Sequence, residues 1–203
     1  MASTMMHLLV GDGIAKADNR VKGTGQFYLG CFLPDSVNVG GFAPKDVRWA
    51  AHLRAKSLPE WYENVGKFYC ENRKKYDNDL LLGYCVHCIT DAAFDEFFHK
   101  DIWKKAEAAN LTGWDECFRF DRTVMDGLWW KEKLRPLLGK TVPEGVGKIS
   151  TELADRALRY VINDHYATLP PEPPTFVTDE IIRELTIETL GKTEESLKID
   201  FQT

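Results

Sequence analysis

Residues 80–94 read LLLGYCVHCITDAAF and decide the fold, because this stretch is apolar almost all the way round a helix. A helix of this kind is usually buried. Yet His87 and Asp91 are four residues apart, so both fall on one face of it. Burying a carboxylate without a partner costs several kcal/mol or shifts its pKa, and a bound cation removes that cost. The pair therefore predicts half of a metal site. The alternative is a core histidine hydrogen-bonded to its own aspartate.

The rest of the chain also favours helices, because period-two alternation is scarce and no Asn-Gly hairpin turn occurs. The sequence thus predicts an all-α fold, a multi-helix bundle. Helical periodicity predicts helices at 4–17, 24–33, 45–56, 58–75, 78–98, 100–109, 116–137, 149–166 and 178–190.

A Pro-rich stretch at 169–174 divides the chain. We expect a helical metal-binding domain over 1–168, followed over 169–203 by this spacer and a C-terminal helical arm. The helix of the arm should begin at Thr178 and end at Gly191. The arm either docks back on the domain or reaches a partner, as it would in a homo-oligomer.

Composition narrows the classes of protein. The 203 residues are 44% hydrophobic with a formal net charge of -5, so a globular chain is expected and a nucleic acid duplex is not an expected partner. The chain contains no run of about 18 apolar residues, so the sequence predicts no transmembrane segment. The start of the chain has no signal-peptide pattern. Five cysteines, an odd number in mostly apolar helical settings, favour reduced thiols and a cytoplasmic location.

Three further residues could join His87 and Asp91. His7 and His52 each lie on an apolar-rich predicted helix, where a single histidine is more often a hydrogen-bonded core residue. Asp35 follows Pro34, at the end of an apolar helix, and is either a turn residue or an oxygen ligand. Because the helices of a bundle turn their apolar faces to a common axis, these side chains can converge.

The order of these elements resembles the zinc-dependent phospholipase C family, and most closely its small bacterial branch. The elements are an early histidine, a G-x-x-x-P-D segment, a histidine on the next helix, and a G-Y-x-x-H-x-x-x-D helix. They correspond here to His7, residues 30–35, His52 and residues 83–91, within a match over roughly 5–98.

The resemblance implies an all-α fold of the phospholipase C and P1 nuclease type, and hydrolysis of a small-molecule or lipid phosphate ester by a metal-activated water. It implies metal ligands at His7, Asp35, His52, His87 and Asp91. Asp35 or Asp91 would bridge two ions, and one of them, or the metal hydroxide itself, would act as general base. The expected cofactor is one or two divalent ions, zinc first, with manganese and iron as alternatives.

The chain departs from the family in three respects. Six residues precede His7, so the N-terminal amine, a ligand in the family, is not expected to reach the site. Position 97 is Phe where a further histidine would be sought, and His99 is about 200° further round the helix. The later H-x-x-x-E pair is absent, with Asp121 and Asp126 as the nearest candidates.

Two other readings stay open. Cys85 and Cys88 form a C-x-x-C that could bind a structural zinc, although no second pair exists. The whole chain could also be a non-catalytic helical binding or scaffold protein with a degenerate or structural metal site. Five or more ligands round a cavity with an open coordination position would indicate an enzyme, whereas a closed four-ligand site would indicate a scaffold.

Overall fold

The computed structural model describes residues 2–19 and 21–198. Within these ranges the chain is helical and contains no strand, which confirms the all-α class. The α-helices are α1 (Thr4–Ala17), α2 (Gly25–Gly30), α3 (Lys45–Ala51), α4 (Leu58–Asn72), α5 (Asn78–Phe97), α6 (His99–Ala108), α7 (Gly113–Asp126), α8 (Arg135–Leu138), α9 (Thr151–Arg159) and α10 (Asp179–Leu197). Short 3-10 turns (Leu33–Asn38, His165–Thr168) and π-helical turns (Trp129–Leu134, Tyr160–Asp164) adjoin them.

Helix α5 is the centre of the bundle. Every residue from Leu80 to Phe94 is buried, as its all-round apolar sequence predicts. The helix begins at an Asp77 cap, whose carboxylate accepts a hydrogen bond from the Leu80 N–H at 3.0 Å. Helices α1, α2, α4, α6 and α10 all contact α5. The polar side chains of this buried segment, His87, Thr90 and Asp91, are therefore enclosed by the bundle.

Two glycines bring α2 unusually close to α5. A Cβ atom on Gly83 would clash with the backbone carbonyl of Phe27, and one on Gly30 would clash with the carbonyl of Leu80. The two backbones are therefore in contact with no side chain between them. Because Asp35 lies on the 3-10 turn that directly follows α2, this contact fixes its carboxylate beside α5.

The C-terminal arm packs on its own chain. Helix α10 contacts α1, α4 and α5 and buries one face, formed by Ile182, Leu185, Thr189, Thr193 and Leu197. The spacer before it is held by the buried carboxylate of Glu116, which accepts hydrogen bonds from the N–H groups of Thr175 at 2.7 Å and Phe176 at 2.6 Å. The apolar face of the arm is thus covered within the same molecule, and the homo-oligomer through this arm stays a prediction.

Several predicted helix boundaries are wrong. The helices expected over 24–33 and 45–56 end earlier, at Gly30 and Ala51. The helix expected over 116–137 is interrupted after Asp126, because Gly127 adopts an extended conformation and a π-helical turn follows. Helix α10 does not end at Gly191 but continues to Leu197, since Thr193 and Leu197 gain buried contacts beyond it. None of the helices in the described ranges combines the length and the apolarity that crossing a membrane requires.

Candidate metal centre

The structure brings all five predicted ligand residues into one cluster. His7 comes from α1, Asp35 from the first 3-10 turn, His52 from the residue after α3, and His87 and Asp91 from α5. Four of these side chains are at most 1% exposed, whereas that of Asp35 is 19% exposed. Four separate segments thus converge on one point inside the bundle.

Asp91 lies in the middle of this cluster. Its Oδ1 is 3.3 Å from Nε2 of His7, and its Oδ2 is 3.5 Å from Nε2 of His52 and 3.8 Å from Nε2 of His87. The two carboxylate oxygens therefore face different histidines. Asp91 belongs to only one of the groups with metal-ligand spacing, so the bridging of two ions by Asp91 stays a prediction.

The donor atoms form two overlapping groups, each with the spacing of a metal site. One consists of His7, His87 and Asp91, and the other of Asp35, His52 and His87; within each group the ligand atoms lie within 4.8 Å of one another. The shared His87 offers one nitrogen, so it can serve one of the two positions at a time. Each of these buried His/Asp groups could hold a divalent ion.

Backbone carbonyls fix the orientation of two of the histidines. Nδ1 of His87 is 2.8 Å from the carbonyl oxygen of Cys31, and Nδ1 of His52 is 2.8 Å from that of Arg48. A carbonyl only accepts hydrogen bonds, so Nδ1 carries the proton in both rings. In the neutral rings Nε2 then presents its lone pair to the carboxylates, as a histidine that ligates a metal does.

Several buried polar atoms of the cluster lack a hydrogen-bond partner within the part of the chain that the structure describes. They are both ring nitrogens of His7, Nε2 of His87 and Oδ2 of Asp91. Buried polar atoms are normally paired, and leaving one unpaired costs about 1–3 kcal/mol. A cation at the centre would satisfy Nε2 and the carboxylate oxygens together, so the donor set fits a metal ion.

The pKa shifts follow from the same geometry. Burial and, after it, the neighbouring His7 lower the pKa of His87 to about 3, so this ring is neutral at physiological pH. Burial also opposes charge on His52 and Asp35. The hydrogen bond and attraction between these two outweigh that effect, raising the pKa of His52 and lowering that of Asp35.

The backbone near the start of the chain also reaches the cluster, whereas the expectation about the N-terminal amine concerns a residue outside the described ranges. The backbone N–H of Ala2 donates to Oδ1 of Asp91 at 2.8 Å. The amine of Met1 itself lies outside the described residues. No pattern in the sequence indicates this contact, because it joins residues 89 positions apart.

The other three residues considered as metal ligands, His99, Asp121 and Asp126, lie outside the cluster. His99 packs against Trp103 with tilted rings whose centroids are 4.1 Å apart, and Asp126 accepts a hydrogen bond from the exposed Tyr166 hydroxyl at 2.8 Å. Asp121 is buried, but both of its oxygens are occupied: it accepts from Ser3 and Met5 and pairs with His165. None of the three joins the metal cluster.

The C-x-x-C thiols are also outside it. Burial raises the pKa of Cys85 and of Cys88 above the ordinary value, which disfavours the thiolate that binds zinc. Among the described residues, the groups with metal-ligand spacing contain no cysteine. The structural zinc considered for this pair therefore has no geometric support.

A cavity of about 460 Å³ adjoins the cluster. Asp35 lies in its wall, so one face of the metal cluster opens into it. Much of the remaining wall is aromatic or aliphatic, including Phe32, Phe42, Trp114, Phe118, Tyr160 and Leu169. Ser3 and His165 are among its polar residues. The sequence does not reveal this cavity, because its walls come from distant segments.

Comparisons with protein-family models, with curated proteins and with solved structures found no match to this chain. The class of site therefore rests on its own geometry: a buried cluster of three histidines and two aspartates, able to hold a divalent ion beside an apolar cavity.

Proposed function

We propose that the protein is a metal-dependent hydrolase of phosphate esters. The observation that carries the proposal is the position of Asp35, which belongs to the donor cluster and also lines the cavity. A catalytic metal needs a coordination position that substrate or water can reach, whereas a structural site is closed by protein ligands. The partly exposed Asp35 provides such an opening.

A divalent ion bound here would supply a Lewis acid and an activated water. The chain's own residues hold and orient the donors: Asp91 presents its two oxygens to different histidines, and the carbonyls of Cys31 and Arg48 keep the rings of His87 and His52 in place. Asp35 lines the cavity wall, and on this ground we assign it the role of general base, which accepts a proton from the attacking water.

The cavity lining limits the chemical class of the substrate. Its wall of aromatic and aliphatic side chains favours an ester whose organic group is apolar, soluble or lipid-derived. Zinc is the first choice of ion, since three imidazoles and two carboxylates suit it, and manganese and iron suit the same donors. The likeness of motif order to the zinc-dependent phospholipases C supports this reaction class. Four buried free thiols support a cytoplasmic location as part of the proposal.

The test is hydrolysis of a chromogenic phosphate ester after loading with zinc or manganese. Purified protein without a poly-His tag would be stripped with chelator, reloaded, and assayed with 4-nitrophenyl phosphate and bis(4-nitrophenyl) phosphate. We expect turnover that chelator abolishes and that Asp35→Asn lowers by about 10²-fold or more. A loaded protein that hydrolyses neither ester would contradict the proposal.

The second candidate is a non-catalytic helical scaffold with a degenerate site. It is favoured by Ala2, whose N–H satisfies one oxygen of Asp91, and by the contact of His52 with Asp35 at 3.3 Å. In this view the polar groups partly satisfy each other. A protein that takes up no zinc or manganese would support the scaffold.

A further inference from the structure

The cavity carries a second polar pair whose arrangement the metal cluster does not explain. His165, 5% exposed, lines the cavity, and its Nε2 is 3.0 Å from Oδ2 of the fully buried Asp121. Nδ1 of His165 is buried and has no hydrogen-bond partner within the described ranges. One nitrogen of the ring is thus held by a carboxylate, and the other, although covered by protein atoms, has no partner among the described residues.

Asp121 is itself held rigidly. Its Oδ1 accepts hydrogen bonds from the hydroxyl of Ser3 at 2.5 Å and from the N–H of Met5 at 3.1 Å. With both oxygens occupied, this carboxylate is not available as a metal ligand. Its effect is to fix the ring of His165 with Nε2–H donating to it, as the aspartate does in an Asp-His catalytic pair.

The pair lies next to the metal cluster, because one dipeptide connects them. The N–H of Ala2 binds Asp91, and the hydroxyl of the adjacent Ser3 binds Asp121. Consecutive Cα atoms are about 3.8 Å apart. His165 and Asp35 therefore line one cavity that is also bordered by this dipeptide.

We propose that His165 is the general acid that protonates the oxygen of the leaving group. This inference rests on the proposed function. The oxygen of the attacking water bonds to phosphorus, the bond from phosphorus to the ester oxygen breaks, and that oxygen takes a proton from protonated His165. The neutral ring then regains a proton from solvent, equivalent to the one that the water lost, so the alcohol and the phosphate leave with atoms and charge balanced.

A general acid is useful in this reaction because a poor leaving group must be protonated as it departs. The donors around Asp91 serve the attacking water, whereas an alkoxide or phenoxide leaving group needs a proton of its own when it is a poor one. Asp121 is a positioning residue, since it touches His165 and not the substrate. The apolar wall around His165 would receive the organic group as it departs.

The experiment compares two esters that differ only in leaving group, 4-nitrophenyl phosphate and phenyl phosphate, with the zinc-loaded protein. Nitrophenolate leaves without a proton, whereas phenolate needs one. We expect His165→Asn to lower kcat for the phenyl ester by about 10²-fold to 10³-fold and for the nitrophenyl ester by less than about tenfold. Asp121→Asn should give the same selectivity with a smaller loss. Tyr160→Phe, which alters the same wall, should change the two rates equally.

The ratio of the two rates within one preparation does not depend on how much of a variant is folded or loaded with metal. Equal losses for both esters, or no loss, would overturn the role of His165 while leaving the hydrolase intact. Should His165→Asn fail to fold, His165→Gln and Asp121→Asn give the same ratio test. A wild-type protein that hydrolyses neither monoester would overturn this inference, and one that also leaves bis(4-nitrophenyl) phosphate intact would overturn the proposed function with it.

Discussion

The imidazole rings of His7 and His87 stack with their centroids 3.7 Å apart and their planes 17° apart. Two imidazolium ions at this distance in a buried site would repel strongly, so at least one ring must be neutral. Burial and His7 together already lower the pKa of His87 to about 3. A pair of neutral rings beside the carboxylate of Asp91 is the charge state that a divalent ion requires.

Metal content tests this arrangement directly. The double substitution His87→Ala with Asp91→Ala removes the donor common to both ligand groups and the central carboxylate, so we expect the bound transition metal to be lost. Plasma mass spectrometry of protein purified without chelator measures it. His99→Ala is the matched control, since His99 packs against Trp103 and belongs to neither ligand group. Unchanged metal content in the double variant would mean that the site lies elsewhere.

Chelation should destabilise the wild-type fold. A ligand that binds only the native state adds about 4 kcal/mol to the free energy of unfolding at 1,000 times its Kd. We therefore expect chelator to lower the denaturant midpoint of metal-loaded protein, and equimolar zinc to restore it. The His87→Ala, Asp91→Ala variant should show the same midpoint with and without chelator. A wild-type midpoint that chelator leaves unchanged would argue against a metal held in the core.

Metal uptake should release a proton from His52. Its pKa is raised, because the hydrogen bond to Asp35 and the charges of Asp35 and Asp91 outweigh burial. In the metal-free fold, the charged pair stabilises the protein below the unfolded pKa of about 6.5, and this contribution is lost as pH rises through the raised value. A metal needs the neutral ring, so its affinity should increase by up to about tenfold per pH unit over that range.

Calorimetric titration near pH 6.5, in two buffers with different heats of ionisation, measures this proton. We expect an apparent binding enthalpy that depends on the buffer in the wild type. The same titration of His99→Ala should match the wild type, because His99 is outside the cluster. An enthalpy independent of buffer would show that His52 is neutral before the metal binds.

The contact of α2 with α5 should not tolerate a methyl group. In Gly83→Ala the new Cβ meets the carbonyl of Phe27, a backbone atom that cannot move away alone, and we expect a loss of about 1–3 kcal/mol in the free energy of unfolding. Gly191→Ala is the matched control, because that helical position has no atom within 4 Å of an added Cβ. It should gain about 0.5–1 kcal/mol. Chemical denaturation measures both changes in the free energy of unfolding. If both had the same sign, the close backbone contact of α2 with α5 would not explain the effect of Gly83→Ala.

The sequence predicts much of the metal cluster, because buried polar residues on apolar helices are visible as exceptions to a pattern. His87 and Asp91 appear at helical spacing, and Asp35 is marked by the proline before it. Their convergence follows from the buried α5 and from the glycines at 30 and 83. The roles of these residues stay predictions, since proximity alone does not establish them.

The rest of the site depends on contacts between distant segments, which leave no local pattern. His165 and Asp121 are 44 residues apart, and Ser3 and Asp121 are 118 apart. Asp121 alone looks like one acid among many on an amphipathic helix. The continuation of α10 past Gly191 was missed for a related reason, because the buried contacts of Thr193 and Leu197 outweigh the low helix propensity of a glycine.

The burial of the donors also determines how quickly an ion can exchange. The side chains of His7, His87 and Asp91 are fully buried, and α5 is buried from Leu80 to Phe94, so fraying of the helix ends does not uncover them. Asp35 lines the cavity and is the most exposed of the five donors, so we expect an ion to exchange past this side chain. An organic molecule that occupies the cavity would therefore block this exit and slow the dissociation of the ion without contacting the ion. The dissociation rate of the metal would then indicate whether the cavity is occupied, because an occupied cavity would give the slower rate.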